Sequence, residues 1–288
     1  MSLLGLKTSH CSCFADLNLE THLETSFVES ADGTKIRIGR AGSGDKNILV
    51  IPGLAEHLGR YSFVAEGLAA AGYNVIVIEP RGHGKSGGLR GHVKKWAHYS
   101  QDVDAAVREF EGPIILMGHS TGGLIALYSL LEGISNEVKG LVLSAPNVVD
   151  TVDAPVKKAA AKLLSKLTPR LSMETGLKTE LLSRDPEIVR AYEADPLVYS
   201  TVTARWFIEM TKAQGRVMKA APEGTLPLLL QVGEKDGIVD SQSSMAMARN
   251  WNTPAEIICY PGLYHEIFNE PEKDQVLADL VKWLDGQS

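Results

Sequence analysis

Cysteine is scarce in this chain: Cys11, Cys13 and Cys259 are the only three in 288 residues. So small and odd a number argues against a disulfide framework and points to a reducing compartment. Cys11 and Cys13 form a CxC pair, but no second pair of Cys or His stands at metal-ligand spacing beside them, and no metal site is expected. Long hydrophobic runs are also missing. No stretch approaches the roughly 18 apolar residues of a spanning helix. Leu3 to Leu6 is too short to form the core of a secretory leader, and no basic stretch precedes it. A cytoplasmic protein without stable membrane insertion is therefore expected. Finally, there is no basic surplus: 29 Lys and Arg stand against 35 Asp and Glu, a formal net charge of -6. With no cluster of Lys and Arg interleaved with aromatics, nucleic acid is excluded as a partner.

What remains is ordinary globular composition, 44% hydrophobic and 22% charged, in a chain long enough to bury a large core. Two extended segments, Thr25 to Ser30 and Lys35 to Gly39, flank Asp32-Gly33, a turn pair that tolerates positive φ, so an antiparallel hairpin is predicted at the start. Short apolar runs follow at Ile48 to Ile51, Val75 to Ile78, Ile114 to Met117 and Leu141 to Leu143, the pattern of strands buried on both faces. Between them lie helical stretches. The clearest is Val93 to Phe110, where Val93, Trp96, Ser100, Val103, Val107 and Phe110 recur at steps of three and four. Alternating strands and helices predict a mostly parallel sheet with helices on both faces.

From about Val149 to Thr225 the alternation stops. Helical patterning appears at Val156 to Leu167, Pro186 to Tyr192 and Thr201 to Met218, without a convincing buried strand. Strands resume at Pro227 to Val232 and Glu256 to Tyr260, and a helix at Gln275 to Trp283 closes the chain. The organisation read from this is an N-terminal extension over 1–24, a core built from 25–148 and 226–288, and an inserted helical cap over 149–225.

The most informative residues are Gly118-His119-Ser120-Thr121-Gly122, a G-x-S-x-G pentapeptide directly after one predicted strand and before the helical stretch Leu124 to Leu131. That context marks a nucleophile elbow. The residues two before and two after the serine must be small so that the backbones can pass, and both are glycine. The serine then stands at a helix N-terminus, where free N–H groups favour developing negative charge. His119, inside the elbow, is read as a packing residue.

A serine hydroxyl needs a base, and the base an orienting carboxylate. On the α/β-hydrolase fold they follow the nucleophile in the order acid, then histidine. His265 is the only histidine after Ser120 and follows the strand Glu256 to Tyr260, which makes it the candidate base. The loop after Pro227 to Val232 carries Asp236 as the candidate acid, with Asp240 and Glu234 as alternatives. Carboxyl ends of parallel strands share one rim, so the three groups can converge. The tetrahedral oxyanion needs two donors: the Thr121 N–H, and the Leu54 N–H from the loop Pro52 to His57. Arg81 to Ser86 is glycine-rich but lacks the G-x-x-x-x-G-K pattern, so it is read as a turn. Cys259 is expected to be an inert core residue.

These motifs resemble one branch of the α/β hydrolases, the monoacylglycerol lipases and lysophospholipases. The likeness rests on Pro52 to His57 with Arg60-Tyr61, Arg81 to Ser86 with Gly88, Arg90-Gly91-His92, Gly118 to Gly123, Ser183 to Pro186, Asp195-Pro196-Leu197, Gly233 to Val239, and Tyr264-His265-Glu266 with Asn269-Glu270. It runs from about residue 25 to the C-terminus. The resemblance implies the same triad, an oxyanion hole at Leu54 and Thr121, a helical cap over an acyl pocket with transient contact between cap and lipid, and no cofactor. Two positions depart from the pattern, Pro52 where His is usual and Thr121 where Met is common, and both alter the pocket wall. The expected reaction is hydrolysis of a monoacylglycerol-like or other small, lipid-derived ester through an acyl-enzyme. A lysophospholipid, thioester or lactone is the alternative substrate. A non-catalytic scaffold would predict an eroded site, whereas every element named above is intact.

Overall fold

The computed structural model describes residues 23–149 and 155–287; Cys11, Cys13 and most of the expected N-terminal extension lie outside the described residues. The chain opens with an antiparallel hairpin of β1 (Glu24–Glu29) and β2 (Lys35–Ala41), turned at Asp32-Gly33 with Gly33 at φ 81°. There follow β3 (Lys46–Ile51), α1 (Ser62–Ala70), β4 (Tyr73–Glu79), α2 (Ala97–Val107), β5 (Ile114–His119), α3 (Thr121–Glu132) and β6 (Val138–Ser144). After the insertion come β9 (Leu228–Gly233), α7 (Ser241–Arg249), β10 (Glu256–Tyr260) and α8 (Lys273–Asp285). The sheet has eight strands in the order β1-β2-β4-β3-β5-β6-β9-β10. It is parallel from β4 through β10, and β2 joins β4 antiparallel.

Strand side chains alternate between two cores. Leu49, Ile51, Ile76, Ile78, Ile114 and Leu116 face one of them, together with residues of α2, α3 and α7. Ile48, Val50, Val75, Val77, Ile115 and Met117 face the other, with residues of α1 and α8. Because both faces are covered, these strands read as unbroken apolar runs rather than as alternation. The direction of winding reverses at β3, whose sequence successor β4 lies on one side and β5 on the other. Such a switch point opens a crevice at the carboxyl ends of the strands.

Between β6 and β9 the chain forms α4 (Pro155–Leu167), β7 (Ser172–Glu174), α5 (Pro186–Ala194), β8 (Thr201–Thr203) and α6 (Ala204–Ala220). The short strands β7 and β8 pair antiparallel, a ladder too brief to leave a periodic signature. Thr203 ends β8 and caps α6, its hydroxyl accepting from the Trp206 N–H at 3.2 Å, so the helix begins later than the apolar spacing from Thr201 suggested. The same correction applies to α2. Val93 and Trp96 are buried, but Val93 lies in the irregular segment ahead of the helix and Trp96 is only its N-cap. Cys259 also departs from expectation, because it is exposed. It sits on β10, the edge of the sheet, where only one neighbouring strand flanks it. Among the described residues, no helix is long and apolar enough to cross a membrane.

Candidate active site

β5 ends at His119 and α3 begins at Thr121, leaving Ser120 as the single residue of the reversal, with φ 51° and ψ -120°. A non-glycine residue rarely adopts this conformation. The backbones it forces together admit no side chain: a Cβ on Gly118 would lie 2.4 Å from the Gly122 carbonyl oxygen, and one on Gly122 would lie 2.0 Å from that of Ile51. The turn is held by hydrogen bonds. Ser120 N–H donates to the Ser144 carbonyl at 2.9 Å, and the Ser120 carbonyl accepts from Gly123 and Asn147, each at 3.0 Å. The first N–H groups of α3, that of Thr121 among them, have no intrahelical acceptor.

His265 stands on the loop after β10 with its ring centroid 4.8 Å from that of His119. Its Nδ1–H donates to Asp236 Oδ2 at 2.7 Å, and both side chains are almost fully buried. A carboxylate can only accept, so the neutral ring presents Nε2 as its free acceptor. Asp236 is itself held by its other oxygen, which accepts from the N–H groups of Ile238 at 2.8 Å and Val239 at 3.0 Å. Burial would raise the Asp236 carboxyl, but the His265 charge and hydrogen bond outweigh it and hold it below the ordinary carboxylate range. Burial would likewise lower the His265 pKa, and the Asp236 charge and hydrogen bond reverse that, raising it. The alternative acids are engaged elsewhere. Asp240 caps α7 by accepting from Gln242 and Ser243, and Glu234 accepts from the Gly262 N–H.

The loop after β3 is shaped by charges whose pairing the sequence did not reveal. Buried Glu56 accepts at Oε2 from the Gly53 N–H and the Tyr61 hydroxyl, both at 2.6 Å, and at Oε1 from Arg60 Nε at 3.2 Å. Arg60 reaches on to Glu266, beside His265, with Nη2 at 2.7 and 2.5 Å from its two oxygens. One guanidinium thus serves two buried carboxylates. Burial raises both. For Glu56 the charges of His119 and Arg60 and two hydrogen bonds prevail, bringing it to about 2, while Glu266 stays above its ordinary value. Ala55, between Leu54 and Glu56, takes φ 65°. The i,i+4 spacing of Glu56 and Arg60 was a readable hint; nothing in the sequence marked Glu266 as their partner.

Leu54, Thr121, Ser120 and His265 all line one cavity of about 420 Å³. Its far wall comes from the insertion and is largely apolar, with Leu177, Leu182, Val202, Trp206, Phe207 and Met210. That is the composition of a pocket for a hydrocarbon ligand with a few polar groups at one end. Among the described residues, no group of three or more His, Cys, Asp or Glu could hold a metal ion.

A mostly parallel eight-stranded sheet, with a serine in left-handed backbone at a strand-to-helix turn and a His–Asp pair on neighbouring loops, defines an α/β hydrolase. The family model described as "Serine aminopeptidase, S33" (Hydrolase_4) matches residues 42–272, and the chain belongs to this family. The chain is 37% identical over 246 residues to a monoacylglycerol lipase of Mycolicibacterium smegmatis, covering 82% of this chain and 87% of that one. It is 30% identical to the phospholipase YtpA of Bacillus subtilis, over 80% of this chain and 91% of that one. The crystal structure of the Paleococcus ferrophilus monoacylglycerol lipase superposes with a TM-score of 0.81 at 31% identity, covering 88% of this chain and 99% of that chain.

Proposed function

We propose that this chain hydrolyses monoacylglycerols or closely similar lipid-derived esters, with Ser120 as nucleophile, His265 as general base and Asp236 as the carboxylate that orients it. The observation that carries this is the 2.7 Å hydrogen bond from His265 to Asp236 on the wall of the apolar cavity that also exposes Ser120. In the first half-reaction His265 Nε2 takes the Ser120 proton as Oγ adds to the ester carbonyl. The oxyanion is held by the N–H groups of Leu54 and Thr121, each worth about 3 kcal/mol to the transition state. His265 then gives its proton to the leaving alcohol. Water, activated by the same imidazole, releases the acid from the acyl-enzyme. Asp236 stabilises the imidazolium throughout without taking up its proton.

Residues 149–225 act in this reading as a cap, whose apolar inner surface receives the acyl chain. The cavity chemistry favours an ester over a peptide with a free amino terminus. The carboxylates that line it, Glu56 and Glu266, are already engaged by Arg60, and neither is left to bind an ammonium group. A lysophospholipid is the second reading, supported by Lys178 on the cavity wall and by the phospholipase relative.

Incubation with a fluorophosphonate probe, followed by turnover assays on monoacylglycerols and lysophospholipids of matched chain length, tests the proposal. Stoichiometric labelling that disappears in Ser120→Ala, with monoacylglycerol the better substrate, is expected. A folded but unlabelled protein, or turnover confined to amides, would overturn it.

A further inference from the structure

Ser183 to Pro186 is one of the motifs behind the family resemblance, yet it takes no part in the chemistry described above. Ser183, Arg184 and their partner Glu270 stand outside the cavity lining. The segment that contains the first two nevertheless runs along the loop that carries His265. The His265 N–H donates to the Leu181 carbonyl at 3.4 Å, and the Glu266 N–H to that of Leu182 at 2.8 Å. Ser183 Oγ donates to the Asn269 carbonyl at 2.9 Å. Arg184 directs its backbone N–H at 3.2 Å and its Nε at 3.0 Å to Glu270 Oε2, and its Nη2 reaches Glu272. Four consecutive cap residues are thus bonded to the histidine loop.

Glu270 links this ladder to the imidazole. Its side chain is fully buried, and its other oxygen, Oε1, accepts from the Tyr264 N–H at 2.7 Å, immediately ahead of His265. The carboxylate therefore closes the histidine loop on itself and ties the closed loop to the guanidinium by a charge-assisted hydrogen bond, the stronger kind. Leu181 bears on the acid loop as well. A Cβ on Gly237, next to Asp236, would lie 2.9 Å from Leu181 Cδ1. One cap segment thus braces both loops whose side chains make the His265–Asp236 bond. We infer that Arg184, acting through Glu270, is a positioning residue that holds the imidazole of His265 in register with Asp236 from the cap side. This rests on the ester-hydrolase reading above. His265 has to keep Nδ1–H on the carboxylate while Nε2 serves the nucleophile, and a misplacement of about 1 Å can cost about 10²-fold in rate. Because Arg184 lies outside the cavity lining, its loss should appear in the chemical step rather than in substrate binding.

The test compares the full chain with Arg184→Met, Arg184→Lys and, as a control, Arg190→Met, which removes a cap cation whose partner Glu187 lies on the same helix. For each, kcat and KM are measured on p-nitrophenyl acetate and p-nitrophenyl octanoate, with the rate constant of fluorophosphonate labelling of Ser120, all referred to the folded fraction. Arg184→Met should lower kcat about tenfold to thirtyfold on both esters, with KM changed by less than about twofold. Labelling should slow by the same factor, and the low-field proton resonance of His265 Nδ1–H should broaden or vanish. Arg184→Lys should regain at least about threefold of the lost rate, and Arg190→Met should match the wild type. If Arg184→Met does not fold, Ser183→Ala, which deletes the bond to Asn269, should show the same pattern at about threefold. Unchanged kcat and labelling in whichever variant folds, a loss confined to KM or to the octanoate, or a lysine variant no better than methionine overturns the positioning role. In each of those cases the wild type still labels and turns over esters, so the ester-hydrolase reading stands. A wild type that neither labels nor hydrolyses any ester would remove both.

Discussion

His57 and Asp195 are 138 positions apart and meet at 2.6 Å, His57 Nε2 donating to Asp195 Oδ2 where both side chains are nearly inaccessible. The donor is assigned because His57 Nδ1 already accepts from the Gly59 N–H at 3.1 Å. This contact joins the loop after β3, which carries Leu54, to the insertion. Asp195→Ala would leave a buried imidazole N–H unpaired, at a cost of about 2 kcal/mol. Thermal unfolding should show a clear fall in Tm, and turnover of long-chain esters should drop more than that of acetate. Asp195→Asn keeps an acceptor and should recover most of the stability; equal losses in the two variants would argue against the hydrogen bond as the cause.

Ser120 occupies left-handed backbone at φ 51°, which favours glycine. Two variants of the proposed nucleophile therefore separate chemistry from strain. Ser120→Ala and Ser120→Gly should each lose on the order of 10⁴-fold or more in kcat. Ser120→Gly should nevertheless be the more stable of the two by about 1 kcal/mol, measured by urea unfolding. The reverse order of stability would contradict the strained turn.

In the proposed mechanism hydrolysis requires the unprotonated imidazole of His265, so kcat/KM should rise with pH through a midpoint above the ordinary histidine value, since Asp236 raises that pKa. Asp236→Asn removes the raising charge, so the midpoint should move to lower pH while kcat falls by roughly 10⁴-fold. A pH profile whose midpoint does not respond to this substitution would separate the base from position 265.

Stability should respond to acid through other histidines. Burial lowers His83 and His119 from 6.5 to about 4. The unfolded chain therefore takes up protons at these positions that the folded chain refuses, and stability is lost as pH falls from 6.5 toward 4. His265 acts in the opposite sense: its contribution is complete below 6.5 and is lost as pH rises through its raised folded value. The urea midpoint should fall between pH 7 and about pH 5, and His83→Gln should make that decline shallower. An unchanged slope would mean that His83 does not titrate in this window.

Arg60 is the counter-ion that Glu56 and Glu266 share inside the protein. Removing it leaves two buried carboxylates facing each other, and Arg60→Met should cost about 3–5 kcal/mol in a denaturant titration. The triple variant Arg60→Met, Glu56→Gln, Glu266→Gln should regain much of this loss. Failure to do so would place the cost in packing rather than in charge.

The parts of this molecule that were legible in the sequence are those governed by neighbours along the chain. Apolar runs bounded by turn residues marked β3 to β6, and the spacing of Gly118 and Gly122 about Ser120 marked the reversal, because the clash they avoid is only two residues away. Where periodicity failed, it had reported burial rather than conformation, as at Val93 and Trp96 ahead of α2. Cys259 was misjudged because a strand's rank in a sheet, central or edge, depends on strands far off in sequence. The sequence made Asp236 the candidate acid but kept Asp240 and Glu234 as alternatives, because position on a loop does not say which carboxylate turns toward the histidine. The structure separates them by geometry: one carboxylate reaches the imidazole at position 265, one caps a helix, and one pins a loop.

Local sequence by itself determined the strand-and-helix alternation, the tight serine turn and the order of acid and histidine along the chain, since steric and hydrogen-bonding rules act there over a few residues. Only the folded chain decided which buried charges share Arg60, that His57 reaches Asp195, and that the Gln214 amide oxygen is buried with no hydrogen-bond partner among the described residues. Those pairings depend on distances set by packing elements far apart in sequence, and desolvation gives them their energies only after the core has closed around them.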